Sequence, residues 1–380
     1  MNIVVAIDSF KGSLSSMEAG CAVRDAVLRV NKNAKVFVRP IADGGEGTVD
    51  ALSAGLGGTE ITVLVSGPLS NKVQAKYCII EDDKTAIIEM SAAAGITLLS
   101  RDELNPLETT TYGVGEIILD AINRGCRHFI VGIGGSATND GGVGMLSALG
   151  FRFLDKNGNE ISRGCKGLQN LSRIDTSGAV DKLKDCTFRI ACDVKNPLCG
   201  EYGCSAVFSP QKGATHEMIG KMDAWLKNYA EIASTVSKKA DMNQEGAGAA
   251  GGLGFAFLAF TNSTLESGIK IILEESKLEE YIKNADIVVT GEGRLDAQTA
   301  MGKAPVGVAK IAKKHGKRVI AFSGCVTDDA EVCNEQGIDA FFPIMRSVVS
   351  LEEALNRQNA YNNLSSTAYQ VFRVIDVFSS

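Results

Sequence analysis

The sequence has few of the residues that most often carry acid–base chemistry at neutral pH or hold transition metals. It has three histidines, which stand far apart in the chain: His128, His216 and His315. Its ten cysteines contain no CxxC pair, and their spacings suit no common zinc site. We therefore expect the histidines to be surface or element-end residues, and we expect neither a histidine base nor a structural zinc.

Other signatures are also missing. No segment matches GxxxxGK[ST], which excludes a P-loop enzyme. The longest apolar run, Leu253–Phe260, is too short to span a bilayer. The opening MNIVVAID has no basic region before its apolar residues, unlike a signal peptide. We expect a cytoplasmic protein with reduced thiols and no membrane partner.

Bulk composition indicates a folded protein of more than one domain. With 380 residues the chain exceeds what one hydrophobic core usually serves, and its 45% hydrophobic and 22% charged content is typical of globular proteins. The net charge of −6 argues against a nucleic-acid partner, whose binding requires a basic face.

The stretch HFIVGIGGSATNDGGVG, from His128 to Gly144, is the strongest local signal. The apolar run Phe129–Val131 predicts a strand, and a loop with six glycines, two hydroxyls and a carboxylate follows it. Such a loop brings backbone N–H groups close to an anion, so we predict a phosphate or small-anion site. Gly132-x-Gly134-x-x-Ala137 matches the relaxed dinucleotide fingerprint, but the polar TNDGG that follows disfavours a dehydrogenase.

The N-terminus predicts a strand, a polar loop and a helix. Asn2–Ile7 is a buried-type strand, and Ser15 with Glu18 forms a capping box that starts a helix near Ser16. The loop between them, DSFKGSLSS, lies where ligands bind in parallel α/β sheets. Lys11 in this loop favours an anion contact, although a solvated loop is the simpler alternative.

A second polar loop, IADGGEGT at Ile41–Thr48, follows the predicted strand Lys35–Pro40. We interpret it as part of the same site, with Asp43 as a metal or hydroxyl partner. The pattern then changes, because Thr59 to Glu89 is β-rich and broken by turns, which predicts an antiparallel meander. We place the start of a second, mixed α/β domain here.

Two further segments leave alternatives open. Asp193 follows the predicted strand Thr187–Cys192, and with Asn196 it either binds a substrate hydroxyl or Mg²⁺, or forms an Asx-turn that holds the loop. GAGAAGGLG at Gly246 either allows close helix packing or forms an anion-binding helix start.

The C-terminal part repeats the strand–loop–helix pattern. Ala285–Thr290 is a buried-type strand that leads into GEGRLDAQTAMGKAP, and Arg318–Phe322 is the next strand. A doubly wound domain is therefore predicted from both ends of the chain, with the middle inserted. Arg294 fits a substrate carboxylate, although a surface ion-pair cluster with Asp296 is the alternative.

Seven motifs occur in an order that closely resembles the two-domain bacterial glycerate kinases, over roughly Met1 to Arg373. They are DSFKGSLSS at Asp8, ADGGEGT at Ala42, GIGGSATNDGG at Gly132, ACDVKNPLCG at Ala191, PQKGA at Pro210, GAGAAGGLG at Gly246 and TGEGRLD at Thr290. The resemblance implies a flavodoxin-like domain (residues 1–64 and 285–380) interrupted by a mixed α/β domain (65–284). It also implies ATP-dependent phosphorylation of D-glycerate in the cleft between them, commonly at the 2-hydroxyl.

Phosphoryl transfer depends mainly on positioning and charge neutralisation, and this suggests roles for the candidate residues. We predict that ATP phosphates bind Lys11 and the loop residues Gly134, Gly135, Ser136, Thr138 and Asn139. Mg²⁺ is expected on Asp43 and Asp296, and Asp193 is expected to orient or deprotonate the glycerate hydroxyl. Arg294, with Ser9 and Asn196, is expected to bind the substrate.

Two alternatives remain at this stage. One is a kinase for another small hydroxy acid, and the other is a non-catalytic regulator that binds sugar acids. The number of chains that assemble is left open, and an oligomer is possible.

Overall fold

The computed structural model describes residues 1–42 and 47–379 of the chain, which divide into two compact units. Unit 1 holds residues 1–42, 50–57 and 269–379, and unit 2 holds residues 47–49 and 58–268. The structure divides the chain earlier at both places than the predicted borders at 64/65 and 284/285. Residues from Thr59 pair into the unit 2 sheet, and residues from Ile269 pack in unit 1.

The described residues form strands and α-helices throughout both units. The strands are β1 (Asn2–Ile7), β2 (Lys35–Val38), β3 (Thr59–Ser66), β4 (Lys72–Ile80), β5 (Thr85–Glu89), β6 (His128–Gly132), β7 (Arg152–Leu154), β8 (Arg173–Asp175), β9 (Thr187–Ala191), β10 (Ser263–Glu266), β11 (Ile287–Leu295), β12 (Arg318–Val326) and β13 (Ala340–Pro343). The helices are α1 (Ser16–Val30), α2 (Thr48–Leu56), α3 (Ser91–Ala94), α4 (Tyr112–Asn123), α5 (Val143–Ala148), α6 (Cys204–Phe208), α7 (His216–Val236), α8 (Ala249–Phe260), α9 (Gly268–Glu275), α10 (Leu278–Lys283), α11 (Ala297–Ala300), α12 (Ala304–Lys314), α13 (Val332–Glu335), α14 (Leu351–Leu355) and α15 (Arg357–Ser379).

Unit 1 is built on a parallel five-stranded sheet in the order β2-β1-β11-β12-β13. Numbered within the unit, this is the flavodoxin-like order 2-1-3-4-5, and it confirms the predicted doubly wound fold made from both ends of the chain. Buried side chains of α1 and α15 cover one face, and α12 packs on the other. The topological switch point lies between β1 and β11, so their carboxyl ends mark the expected ligand edge.

Unit 2 contains a mixed six-stranded sheet in the order β10-β9-β6-β5-β4-β3. β3, β4 and β5 pair antiparallel, as the meander prediction required, while β5, β6, β9 and β10 run parallel. The buried stack of Phe129 on Phe188, with ring centroids 4.6 Å apart, joins β6 to β9 in the core. The loops after β6 and β9 consequently leave the same edge of this sheet.

Local sequence signals account for several element ends. The Ser15–Glu18 capping box is present, and α1 begins at Ser16 as predicted. β7 pairs antiparallel with β8, and one isolated bridge, Leu154 to Glu160, closes the turn at Asp155–Gly158.

The prediction that the histidines lie on the surface or at element ends is confirmed. His128 begins β6, His216 begins α7, and His315 follows the end of α12. All ten cysteines are free thiols. None of the helices in the described part of the chain is long and apolar enough to cross a membrane.

Candidate active site

In unit 1, the loop after β1 is held against the C-terminal part of β11 at the switch point. The Asp8 N–H donates to the Gly291 carbonyl at 2.9 Å. A Cβ added to Gly293 would lie 3.4 Å from the backbone nitrogen of Lys11, so the two backbones lie close together. The motifs DSFKGS and GEGRLD, which are far apart in sequence, therefore share one sheet edge.

The loop after β1 is a tight turn that leaves a lysine free. The Phe10 N–H donates to the Leu14 carbonyl at 2.8 Å, and Gly12 adopts a φ of +82° that favours glycine. The Ser9 N–H is held by the Asp8 carboxylate at 2.6 Å. Lys11 is exposed and forms no ion pair with any described residue, so its ammonium is available to an anion.

The loop after β11 forms a charged cluster around Asp296. This carboxylate caps α11, accepting from the Thr299 N–H at 3.2 Å. Arg294 Nε lies 3.4 Å and Lys303 Nζ 3.9 Å from its oxygens. Asp296 is mostly buried whereas the Arg294 side chain is 63% exposed, which leaves the guanidinium free to meet a ligand.

The metal site predicted at Asp43 and Asp296 stays a prediction, because only Asp296 is among the described residues. Among residues 1–42 and 47–379 no group of three His, Cys, Asp or Glu side chains could hold a metal ion. The Asp296 oxygens already face a helix N–H and two cationic side chains, an environment that repels a further cation. Asp43, the other predicted ligand, lies outside the described residues.

In unit 2, the loop after β6 presents a row of free backbone donors. The Ile96 N–H donates to the Gly135 carbonyl at 2.8 Å, and the Ala137 N–H donates to the Ala94 carbonyl at 2.9 Å. These bonds fix the loop from one side. Within the described chain, the N–H groups of Gly134, Gly135 and Ser136 have no acceptor. Successive free N–H groups in a turn with positive φ, here +71° at Gly135, form a concavity suited to an anion.

A buried lysine supports this loop from inside. Lys212 is 1% exposed, and its Nζ donates to Ser136 Oγ at 2.8 Å and to the Thr138 carbonyl at 2.6 Å. It belongs to PQKGA, a turn just before α7. Burial lowers the pKa of this ammonium to about 8. This buried cation forms no ion pair with a described carboxylate, and it raises the local potential at the loop.

The far half of the loop is organised by Asp140. Its fully buried carboxylate accepts from the Thr111 N–H at 2.8 Å and Oγ1 at 2.9 Å, and from the N–H groups of Gly142 at 3.1 Å and Gly144 at 3.2 Å. Burial raises the pKa of the Asp140 carboxyl, and these donors oppose that shift. Asp140 is thus a structural anchor, and its oxygens do not face a ligand.

Two of the predicted phosphate ligands are interior residues. Thr138 and Asn139 are fully buried, and the Asn139 amide donates to Ser205 Oγ at 2.9 Å. Thr138 Oγ1 and Asn139 Oδ1 find no hydrogen-bond partner in the described protein. Gly134 and Gly135 are exposed and Ser136 lies at the boundary, so the surface of the loop is confined to these three residues.

The second glycine segment is explained by packing. A Cβ on Gly251 would lie 2.0 Å from the Thr138 carbonyl oxygen, and one on Gly252 would lie 2.8 Å from the Cα of Gly141. The Gly141 N–H donates to the Gly251 carbonyl at 2.9 Å. Of the two alternatives for GAGAAGGLG, close approach of one backbone to another accounts for its glycines.

Asp193 and Asn196 occupy the loop after β9. Asp193 is exposed, and one of its oxygens accepts from the Gly268 N–H at 3.3 Å. The Asn196 amide donates to the Tyr202 carbonyl at 2.8 Å, which gives it a loop-holding role. The exposed carboxylate of Asp193 remains the group here that can reach a substrate.

Sequence reasoning missed Lys212 and the threonines that anchor Asp140. PQKGA was recognised as a motif, but nothing in its spacing relates it to Ser136, which lies 76 residues earlier. The only available sign was a lone charge in a turn between Pro and Gly. Thr110 and Thr111 carried no sign at all, because hydroxyl residues before a helix usually act as caps.

Comparison with known proteins gives one consistent result. The model of the glycerate kinase family matches residues 3–376. The chain is 47% identical to a glycerate kinase of Haemophilus influenzae over 375 residues, covering 99% of both chains. It is 47% identical to a glycerate 2-kinase of Escherichia coli over 364 residues, covering 96% of this chain and 95% of that protein.

Structural comparison agrees with these sequence matches. A crystal structure from Salmonella typhimurium LT2, assigned as a glycerate kinase 2, superposes with a TM-score of 0.92 at 43% identity. The match covers 100% of this chain and 99% of that one. The resemblance inferred from the seven motifs is therefore confirmed at the level of both sequence and fold.

Proposed function

Because this chain belongs to the glycerate kinase family and is an enzyme of that family, we propose that it phosphorylates D-glycerate with ATP, favouring the 2-hydroxyl over the 3-hydroxyl. The observation that supports this most directly is the row of free N–H groups at Gly134–Ser136 above a buried ammonium. Such a site suits a phosphoryl group, whose transfer is promoted by positioning and charge neutralisation.

The remaining roles follow from charge and exposure. Lys11, an exposed cation at the carboxyl end of β1, is assigned to the ATP phosphates. The exposed guanidinium of Arg294 is assigned to the glycerate carboxylate, which it fits bidentately, with Ser9 nearby on the same edge. Asp193 is assigned to the acceptor hydroxyl, as its orienting group or base.

Mg²⁺ is proposed to enter as part of the MgATP substrate. Magnesium usually binds through phosphate oxygens and only one or two carboxylates, so the lack of a three-ligand cluster among the described residues is compatible with this. Asp296 is better assigned to holding α11 and orienting Arg294 than to the metal.

The free state of all ten cysteines supports a reducing compartment, and we propose the cytoplasm. Light scattering of the purified protein will establish how many chains assemble. Neither property affects the chemistry proposed above.

The decisive experiment is ADP release from MgATP with D-glycerate, L-glycerate, glycolate and tartronate as acceptors. Turnover with D-glycerate far above the other three is the expected result. The product is read by phosphorus NMR, because a phosphate on C2 couples to one proton and gives a doublet, whereas one on C3 couples to two and gives a triplet. A triplet would overturn the 2-hydroxyl assignment.

Other outcomes point to other functions. Preferential turnover of glycolate or tartronate would indicate a kinase for a different hydroxy acid. Thermal stabilisation by the acids without any ADP release, from a folded sample, would indicate a non-catalytic binding protein.

A further inference from the structure

The ammonium of Lys212 determines whether the hydroxyl of Ser136 donates or accepts a hydrogen bond. An ammonium has three donors and no acceptor. Because Lys212 Nζ lies 2.8 Å from Ser136 Oγ, the serine oxygen must accept this hydrogen bond. The single hydroxyl proton of Ser136 must therefore point to some other acceptor, and no described residue supplies one.

This unused donor lies among others. The backbone N–H groups of Gly134, Gly135 and Ser136 also have no acceptor in the described protein, and Gly134 and Gly135 are exposed. Three N–H groups and one O–H group of this loop are thus without an acceptor in the described protein. This is the donor set that a phosphate group with three terminal oxygens requires.

We propose that Lys212 is a positioning residue that commits the Ser136 hydroxyl to donate to a phosphate oxygen of the nucleotide. The inference rests on the proposed kinase function, and it adds a residue that does not itself touch the substrate. Lys212 acts through the orientation of one hydroxyl proton and through its buried positive charge.

The surroundings keep this arrangement rigid. The backbone N–H of Lys212 donates to the Ser209 carbonyl at 2.9 Å, and this bond fixes the turn that carries the lysine. Thr109 Oγ1 donates to the Ala137 carbonyl at 2.9 Å, and the backbone of Gly251 packs on the Thr138 carbonyl. The two acceptors of the ammonium are therefore held in place before any ligand binds.

The arrangement predicts a pH dependence. A neutral amine has a lone pair, so it can accept from Ser136, and the hydroxyl is then no longer available to phosphate. The charged or titratable groups that act on Lys212 are Asp140 and Cys204, and both favour the ammonium. Burial outweighs them and lowers the pKa to about 8. Phosphate affinity should be full below pH 8 and decline as the pH rises through it.

The test measures binding of ATP and of inorganic phosphate by calorimetry between pH 6.5 and 9.5. Ser136→Ala and Lys212→Met should each weaken binding about 10- to 100-fold at pH 7, the range of one hydrogen bond to a charged group. Lys212→Met should also remove the decline near pH 8, whereas Ser136→Ala should reduce it to the part that comes from loss of the buried charge. The double variant should lose no more affinity than Lys212→Met alone, because that change already removes both the oriented donor and the buried charge.

Lys221→Met is the matched control. Lys221 is an exposed lysine of α7 in the same unit, paired with Glu217 at 2.6 Å, and its loss should leave affinity and pH profile unchanged. If Lys212→Met does not fold, as judged by circular dichroism, Ser136→Ala still decides the matter, because it removes one hydroxyl and leaves the buried lysine.

The outcomes separate this inference from the kinase assignment. Unchanged affinity and pH profile in Ser136→Ala would overturn the inference while leaving glycerate turnover intact. Phosphate binding that depends on Ser136 and Lys212, without turnover of glycerate, would support the inference and refute the proposed substrate. Absence of binding of both ATP and phosphate to the wild-type protein would overturn both.

Discussion

The contact between the two glycine segments of unit 2 gives a sharp prediction for Gly251→Ala. Gly251 has a φ of +66°, which costs an alanine about 1–2 kcal/mol. Its new Cβ would lie 2.0 Å from the Thr138 oxygen and 2.6 Å from the Cα of Asn139. These are backbone atoms that must shift together, and overpacking of this kind adds about 1–3 kcal/mol. We expect a total destabilisation of about 2–5 kcal/mol.

Gly220→Ala is the matched comparison, because it adds the same methyl group where space allows it. Gly220 lies within the length of α7 on its exposed face, and a Cβ there meets no atom within 4 Å. Alanine should stabilise the helix by about 1 kcal/mol. The two substitutions add the same methyl group, so their difference reports the combined cost of the positive φ and the backbone contact at Gly251.

Differential scanning calorimetry measures the effect. For a unit of this size, about 1 kcal/mol shifts Tm by roughly 2–4 °C, so Gly251→Ala should lower the melting temperature of unit 2 by about 4–20 °C. Gly220→Ala should raise it by about 2–4 °C. Because Thr138 supplies an acceptor to Lys212, the affinity of Gly251→Ala for ATP should fall as well. A Gly251→Ala protein that melts within 2 °C of wild type would refute this reasoning.

Three further predictions concern single side chains. Asp296→Ala removes the cap of α11 and should lower the free energy of unfolding by about 1 kcal/mol, whereas Asp296→Asn keeps the cap. Both variants should raise the KM for glycerate, because Arg294 loses its charged neighbour. Thr111→Val removes a donor to Asp140 and the acceptor of the Met145 N–H, and should cost about 2–4 kcal/mol in chemical denaturation. Hydrogen bonds from basic neighbours lower the pKa of Glu279 to about 2. The stabilising effect of this carboxylate is therefore complete above about pH 4.5 and is lost as the pH falls towards 2. Glu279→Gln should reduce the acid dependence of Tm in that range.

Each of these has an outcome that contradicts it. Equal stability of Asp296→Ala and Asp296→Asn would show that the cap contributes nothing, and a wild-type KM in both would remove Asp296 from the substrate site. Thr235→Val, on the surface of α7, is the control for Thr111→Val, and an equal effect of the two would argue against the Asp140 network. Parallel acid melting curves for wild type and Glu279→Gln would contradict the linkage argument.

Much of the fold was predictable because it depends on short-range signals. The capping box at Ser15 and the apolar run of β1 specify a strand and a helix locally, and both were placed correctly. The meander of β3, β4 and β5 was visible in turn residues between β-rich runs. The doubly wound arrangement of unit 1 was predicted from repetition of one strand–loop–helix pattern at both ends of the chain, and its flavodoxin-like type from the resemblance.

The interior of the site was not predictable for the opposite reason. Lys212 meets Ser136 only after the turn before α7 has packed under the loop, and no local pattern records that contact. Thr138 and Asn139 have the composition of ligand-binding residues, yet they are fully buried. Residue type indicated the kind of chemistry correctly, but burial decided which atoms face outward.

The sheet order of unit 1 also has a consequence for how the chain is made. β1 is an inner strand, but only β2 is near it in sequence, whereas its other neighbour, β11, begins at Ile287. During synthesis one edge of Ile3–Ile7 thus stays open until the intervening residues, most of which form unit 2, have emerged. Unit 2 is nearly continuous in sequence and is free to fold meanwhile. The nascent protein therefore depends on keeping an apolar strand edge shielded through most of translation. A chain truncated before β11 would leave that edge unpaired and would be prone to aggregation.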